Sequence, residues 1–315
     1  MNLNNTPPLV SVVMATYNGE KFIRKQLDSI LQQTYPNIEI VVVDDCSIDQ
    51  TIDIVRQYAY QHPAIKLYVN ETNLGYVKNF EKGMVLASGD YIAPSDQDDI
   101  WLPEKISVLI NEINDYAIVY CNSTLIDDQD NPIGKNLSDV KKLISFDDCL
   151  NYTVGNSAPG HGMLFPRKLV TDAVPLPSMI PHDYWLGFVA TFYSKLKYID
   201  KSLVLYRQHD SNVFGAAKIK SAEGNTRVRK KKTTDEKLKL ARERMQLMYE
   251  KCPADLKEQK EIFRLLVKSY RSFSVTDNFL RMIVFFRYNK RILAFKRRNL
   301  IRRWLFCIKM FVKIV

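Results

Sequence analysis

The feature that most constrains this chain is a repeated switch of hydrophobic period. Four short apolar runs, Leu9–Met14, Ile38–Val43, Ile65–Val69 and Tyr91–Pro94, read as buried parallel strands. Between them the period becomes helical. Ile23, Leu27, Ile30 and Leu31 recur through Glu20–Gln33, with Pro36 beyond. Asp49–Tyr60 follows, with Asp49 a candidate N-cap, and Gly75–Ala87 closes at Ser88-Gly89. Pro103 then opens a helix that reaches Asn114. Such alternation implies βαβ units with right-handed crossovers and a mostly parallel, Rossmann-like sheet flanked by helices. Ligands of such sheets collect at the carboxyl ends of the strands, near a switch in strand order. The loops at those ends are Ala15–Gly19, Asp44–Ser47 and Asp96–Asp99.

The rest of the chain is more mixed. Ala117–Cys121 and Gly162–Phe165 read as strands, Asp183–Ser194 as a largely buried helix, and Lys197–Arg207 as a strand or hairpin. Residues 216–234 read as a polar linker carrying the basic run Arg227–Lys232, and 235–315 is helical in pattern. The expected organisation is an α/β catalytic domain over 1–215, a linker over 216–234 and a helical region over 235–315. A chain of 315 residues, 46% hydrophobic and 25% charged, can bury the core this needs.

The net charge of +10 is confined to one place. Residues 281–315 hold eleven Lys or Arg and no acid, leaving 34 basic against 35 acidic residues in 1–280. The main body therefore has no basic field for a polyanion, which argues against nucleic acid as a partner. The tail's longest uncharged runs are five residues, such as Trp304–Ile308, too short to span a bilayer. Arg287, Arg291, Arg298, Arg302, Lys309 and Lys313 would fall within an arc of roughly 80° on one helix. Lys296 and Arg303 lie off that stripe, which implies a break or more than one helix. A basic amphipathic extension of this kind suits a membrane interface; the alternative is a docked helix with solvated charges. Cys46, Cys121, Cys149, Cys252 and Cys307 are scattered without a CxxC pair, as in a reducing compartment. Met1–Pro8 lacks the features of a secretory signal. The expectation is a cytoplasmic protein held peripherally at the inner face of the cell membrane.

Chemistry concentrates at Asp96-Gln97-Asp98. Two carboxylates one residue apart at a strand end can hold one hard divalent cation, Mg or Mn, and the diphosphate that shares it. Transfer from a nucleotide-diphospho-sugar needs that charge, because the leaving group gains negative charge as the bond breaks. An Asp-rich loop alone is also an ordinary solvated turn. Here an apolar strand precedes it and Ile100-Trp101-Leu102-Pro103 follows. Asp44-Asp45 reads either as acids capping a loop or as a carboxylate that meets a base or ribose.

Four segments resemble family-two glycosyltransferases in order and spacing. They are Ser11–Gly19; Val41–Ser47 with Asp49 and Thr51; Asn73-Leu74-Gly75 with Lys78-Asn79; and Ser95–Asp99 with Trp101 and Pro103. The resemblance covers residues 9–215 and implies the GT-A fold and inversion at the anomeric carbon. It also implies that Ala15, Thr16, Tyr17 and Asp45 contact the nucleoside and that Lys78 lies near the diphosphate. Asp96, Gln97 and Asp98 then hold the donor, with Asp98 as direct metal ligand. The family often has Arg where Lys78 stands.

His182-Asp183-Tyr184-Trp185, then Tyr206-Arg207-Gln208-His209 and Asn212, resemble the bacterial rhamnosyltransferase-like branch. That resemblance implies Asp183 as general base, although Asp183 also starts a helix and reads as an N-cap. Arg207 and His209 would close over the diphosphate, with His209 reaching the metal. His161, His182 and Trp185 are candidates for the acceptor pocket, with a turn role for His161 and core packing for Trp185 as the alternatives. The implied function is transfer of a sugar such as rhamnose to a glycan or lipid-linked glycan in surface-polysaccharide synthesis. Rival readings are a nucleotidyltransferase, which usually shows a Gly-rich basic loop where Ala15–Gly19 stands, and a non-catalytic membrane-associated adaptor that keeps the fold.

Overall fold

The computed structural model describes residues 6–209, 233–296 and 299–313. These form two compact units.

The first unit comprises residues 6–145 and 157–209. In chain order it contains β1 (Val10–Thr16), α1 (Ile23–Leu31), β2 (Ile38–Asp44), α2 (Thr51–Gln61), β3 (Ile65–Val69), α3 (Tyr76–Leu86), β4 (Tyr91–Ser95) and β5 (Ile100–Trp101). It continues with α4 (Lys105–Ile113), β6 (Ile118–Ile126), β7 (Pro132–Asn136), α5 (Leu137–Val140), β8 (Met163–Pro166), α6 (Lys168–Ala173), α7 (His182–Ala190) and β9 (Leu196–Arg207). The strands make one nine-stranded sheet in the order β3-β2-β1-β4-β8-β6-β9-β5, with β7 beside β6. Strands β1 to β4 are parallel, with Val10 opposite both Ile38 and Tyr91. β8 runs against both β4 and β6, and β9 runs parallel to β6.

The apolar runs form strands because both faces of the sheet are covered: Val10, Val12, Val13, Met14 and Val41–Val43 are fully buried. The chain goes from β1 outward to β2 and β3, then returns to the other side of β1 as β4. That reversal puts a crevice between the ends of β1 and β4.

Some expected boundaries move. β6 runs on to Ile126, five residues past the expected end. α7 stops at Ala190 rather than Ser194. α4 begins at Lys105 with Glu104 as N-cap, so Pro103 lies outside the helix; its carbonyl accepts the Thr34 N–H at 2.8 Å. Gln50, not Asp49, is the N-cap of α2, yet Asp49 Oδ1 still accepts the Thr51 N–H at 2.9 Å. The N-cap of α7 is Pro181, which puts Asp183 inside the first turn rather than at the cap.

The second unit comprises residues 146–156 and 233–313. Its helices are α8 (Thr234–Lys251), α9 (Lys257–Ser269), α10 (Val275–Arg287), α11 (Asn289–Ile292) and α12 (Leu300–Val312). Thr233 and Glu236 form a capping box at the start of α8. Met245, Ile262, Phe263, Leu266, Phe285 and Cys307 are fully buried in its core. The fully buried Arg281 ties α10 to its neighbours, donating to the Met310 carbonyl at 2.9 Å and the Ser269 carbonyl at 2.6 Å.

One sequence expectation changes here and another is met. Residues 146–156 were expected in the catalytic domain but pack with the helices: Asn151 Nδ2 donates to the Arg291 carbonyl at 2.9 Å, and Arg291 pairs with Asp148. The basic stripe is divided, as the off-stripe Lys296 and Arg303 implied. Arg287 ends α10, Arg291 lies in α11, Arg302 and Lys309 lie in α12, and Lys313 is its C-cap. Arg291 is also neutralised by Glu258 at 2.9 Å. Arg298, Asn212 and linker residues 216–232 fall outside the described residues.

Candidate active site

The loops after β1, β2 and β4 are laced together by their own polar side chains. Asp44, fully buried, accepts from Thr16 Oγ1 at 2.8 Å and from the Ser47 N–H and hydroxyl at 2.8 and 2.6 Å. The Asn18 N–H donates to Ser47 Oγ, and the Gly19 N–H to Thr51 Oγ1. Gln97 spans the crevice, its Oε1 accepting the Tyr17 N–H at 2.9 Å and its Nε2 donating to the Tyr17 carbonyl at 3.1 Å. The Tyr17 side chain stays half exposed at the rim.

Asp45 is buried, and its carboxylate accepts from Asn70 Nδ2 at 2.8 Å, the Leu74 N–H at 2.7 Å and the Gly75 N–H at 2.9 Å. It ties the β2 end to the start of α3, where Gly75 takes a φ of 80° that favours glycine. Lys78, in the first turn of α3, pairs with Glu81 at 2.7 Å.

The carboxylate loop after β4 has an open side and a closed side. On the open side, His209 Nε2 stands 2.8 Å from Asp98 Oδ2. The His209 ring lies against Phe22, with centroids 5.3 Å apart. Asp96 is 42% exposed. Its recess, then the neighbouring charges of Asp98 and Asp183, push its pKa up to about 7. Asp183 thus lies near enough to Asp96 to be felt by it. Both also act on Tyr76, which burial first, then Asp183 and Asp96, raise to about 12. Asp183 Oδ1 accepts the Tyr184 N–H at 2.7 Å.

On the closed side, three ionisable groups, Asp99, His161 and Lys105, are packed out of water. Asp99 is fully buried, with Oδ1 accepting the Arg207 N–H at 3.0 Å. Burial, with Asp98 and Asp96 adding to it, raises its carboxyl well above the usual range. His161 Nδ1 lies 3.8 Å from Asp96 Oδ2 and 3.9 Å from Asp99 Oδ2, and its Nε2 is 2.9 Å from Ser123 Oγ. Its ring lies on Tyr206 at 4.3 Å between centroids. Burial and the Lys105 charge hold His161 well below its ordinary pKa, so the ring is neutral. Lys105, fully buried in the first turn of α4, donates to the His161 carbonyl at 2.6 Å and sits 3.0 Å from the Trp101 ring centroid. Burial brings it down to about 7, against the opposing pull of Cys121, Asp99 and Asp96.

Three expected site residues take other places. Arg207 is fully buried; it donates to the Asp98 carbonyl at 2.7 Å and the Asp127 carbonyl at 2.9 Å, and pairs with Asp130 at 2.5 Å. It braces the carboxylate loop from behind instead of facing a diphosphate, because these contacts enclose its guanidinium. Trp185 is 3% exposed, donates to the Ala173 carbonyl at 2.9 Å and packs on Phe188, so it belongs to the core rather than an acceptor pocket. His182 is also buried, stacked on Phe80 at 3.9 Å, and its ring nitrogens have no hydrogen-bond partner among the described residues. His161 does stand at the cleft, but behind the acids.

Sequence reasoning gave no role to Tyr76, Asp99, Lys105, Ser123 and Tyr206, although Asp99 and Tyr206 stand in its motifs. Asp99 was visible as the fourth residue of the loop. Nothing local marks Lys105 as buried, since a lysine in a first helical turn is ordinarily solvated.

The sequence pattern of Glycosyl transferase family 2 matches residues 11–172. The dTDP-rhamnosyl transferase RfbG of Shigella flexneri is 33% identical over 226 residues, which cover 64% of this chain and 74% of that protein. Among curated relatives the chain spans from 34% to 79% of their own length. TarS 1-349 of S. aureus, solved with UDP-GlcNAc, superposes with a TM-score of 0.60 at 19% identity, over 96% of this chain and 80% of that one. The mannosyltransferase PcManGT of Pyrobaculum calidifontis, solved with GDP-Man and Mn2+, gives 0.52 at 16% identity, over 98% and 86%. The shared architecture is the GT-A fold.

Proposed function

The chain belongs to glycosyl transferase family 2, and we propose that it is an inverting, metal-dependent enzyme. In this reading it moves a sugar from a nucleotide-diphospho-sugar to a hydroxyl of a glycan or lipid-linked glycan in bacterial surface-polysaccharide synthesis. The observation that carries the reading is the Asp98–His209 pair, 2.8 Å apart, in the same cleft as Asp96 and Asp183.

The residues present fit a divalent cation. Adjacent ligands on an octahedral ion with bonds of about 2.1 Å stand about 3 Å apart, close to the Asp98–His209 separation. One carboxylate oxygen and one imidazole nitrogen, with Asp96 beside them, suit Mg or Mn. When bound, the cation supplies positive charge for the departing diphosphate.

The chain's own residues divide the remaining work. Ala15, Thr16, Tyr17 and Asp45 frame the nucleoside, Lys78 lies at the diphosphate end, and Gln97 holds the two donor loops together. Asp183 accepts the proton of the acceptor hydroxyl. That oxygen bonds to the anomeric carbon while the bond to the diphosphate oxygen breaks on the opposite face. One base suffices for this single displacement, so inversion follows.

Likeness to a dTDP-rhamnosyl transferase supports a deoxyhexose such as rhamnose as the donor sugar. Neighbours solved with UDP-GlcNAc and with GDP-Man and Mn2+ support a nucleotide sugar and a cation. No helix among the described residues is long and apolar enough to cross a membrane. Attachment at the inner face of the cell membrane through residues 281–315 completes the reading.

A thermal-shift panel of UDP-, GDP- and dTDP-sugars, with and without Mn2+ or Mg2+, tests the donor. The expected result is one nucleotide class whose shift requires metal; no shift with any of them sinks the reading. Asp183→Asn should abolish transfer while donor binding stays. Turnover like that of the unaltered enzyme would remove Asp183 from the mechanism.

A further inference from the structure

Helix α12 carries an apolar face that nothing covers among the described residues. Leu300, Ile301, Trp304, Leu305, Ile308 and Val312 are each between 49% and 68% exposed. At 100° per residue they occupy an arc of about 140°. The opposite side is fixed: Phe306, Cys307 and Met310 are buried, the Phe306 ring meets Phe285 of α10, and the Met310 carbonyl accepts from Arg281. The helix therefore cannot roll to hide its exposed face without losing those contacts. Between the two faces, Arg302, Lys309 and Lys313 fall within about 40° of one another, along one edge of the apolar arc. All three are exposed.

We infer that α12 is the element that lies in an anionic lipid surface. Its apolar arc would enter the acyl boundary, and Arg302, Lys309 and Lys313 would meet lipid phosphates at the rim. Three observations favour lipid over a protein surface. The arc includes a tryptophan and long aliphatic side chains, the composition of an interfacial helix. The charges border it on one edge, where long basic side chains can reach headgroups while their stems stay apolar. Residues 281–315 contain no Asp or Glu to repel an anionic surface. This assigns the contact to one face of one helix, where the sequence alone suggested a cationic stripe over residues 281–315 with a break or more than one helix. It rests on the reading above only in placing a lipid-linked acceptor at that surface.

The test is co-sedimentation of the full chain with phosphatidylcholine vesicles, with and without phosphatidylglycerol. The comparison variant is Trp304→Gln, Leu305→Gln, Ile308→Gln, whose positions are exposed. Donor thermal shift and sedimentation velocity are measured on the same samples. The expected result is binding that requires phosphatidylglycerol, weakens with salt, and falls at least tenfold in the variant while the donor shift is unchanged. A second variant, Arg302→Gln, Lys309→Gln, should lower binding to anionic vesicles and leave the remainder less sensitive to salt, and unchanged binding with unchanged salt dependence overturns the role of the charges. No vesicle binding, or equal binding by the triple variant, overturns the proposal. So does a dimer of the unaltered chain that the triple variant converts to monomer without vesicle binding, because the face would then be a subunit interface. An absent donor shift in every sample counts against the proposed transferase and leaves the lipid result readable.

Discussion

Gln97 closes the crevice between β1 and β4 by pairing both polar ends of its side-chain amide with the backbone of Tyr17, at 2.9 and 3.1 Å. Two strand ends adjacent in the sheet are thereby locked at the spacing a nucleotide would have to fit. The lock depends on Gly19, because a Cβ there would overlap the Gln97 amide. Gly19→Ala should displace this flexible side chain at a cost of about 1 kcal/mol, yet weaken nucleotide binding roughly tenfold. Urea denaturation and calorimetric titration on the same variant separate the two effects. A large stability loss with unchanged nucleotide affinity would show that the lock serves only folding.

Asp98 and His209 come from loops 111 residues apart and meet at 2.8 Å. If they share a cation, Asp98→Asn and His209→Ala should each remove most of the Mn2+-dependent rise in melting temperature. Without metal, melting should move by less than the metal-dependent rise, since both side chains are only partly buried. Paramagnetic broadening by Mn2+ gives a readout free of turnover. Full retention of Mn2+ binding in both variants would move the metal elsewhere.

Lys105 is an amine placed where no water reaches, between the His161 carbonyl and the Trp101 ring. It stands among Asp96, Asp99 and His161, and its charge favours ionised acids. Lys105→Met keeps the volume and removes both the charge and the hydrogen bond. The expected loss is about 2 kcal/mol in urea unfolding, the scale of leaving the buried His161 carbonyl without its donor. Because the acids lose a counter-charge, added Mn2+ should stabilise this variant by more than it stabilises the unaltered chain. Equal metal shifts would reduce Lys105 to packing.

Glu39 lies at the opposite end of the sheet. Burial alone would raise its pKa, but Lys66, the Ser11 hydroxyl and the backbone and side chain of Ser88 outweigh burial and bring it to about 2 from 4.5. A depressed carboxyl contributes stability above its unfolded value, and that contribution is lost as pH falls from about 4.5 toward 2. The difference corresponds to about 3 kcal/mol. Glu39→Gln should be less stable at neutral pH and should flatten the stability curve over that window. Acid titrations followed by circular dichroism check this, and parallel curves for the two proteins would exclude Glu39 as the source.

Much of the first unit was legible in short windows of sequence. The ends of β1 to β4 fall within two residues of their apolar runs, because a strand covered on both faces must be apolar and its polar loop must begin where cover ends. The strand-end rule also placed Thr16, Asp45, Gln97 and Asp98 in one crevice, since the turn of the chain after β3 is what creates it. Helix ends were less legible. Pro103 and Asp49 satisfy neighbouring backbone groups without being the first residue or the cap, and only the path of the adjoining loop decides that.

What the sequence alone determined, then, was the period of each segment and the chemical kind of its loops, because steric preference and burial act over a few residues. Tertiary structure decided which polar groups stay open to a ligand. Asp98 and Asp99 are neighbours of one type, yet one faces His209 and the other is sealed beneath Arg207, 108 residues away in sequence. Arg207, Trp185 and Lys105 were likewise assigned by enclosure, as was the packing of residues 146–156 with the C-terminal helices. Enclosure depends on how distant loops converge, and no local pattern carries that information.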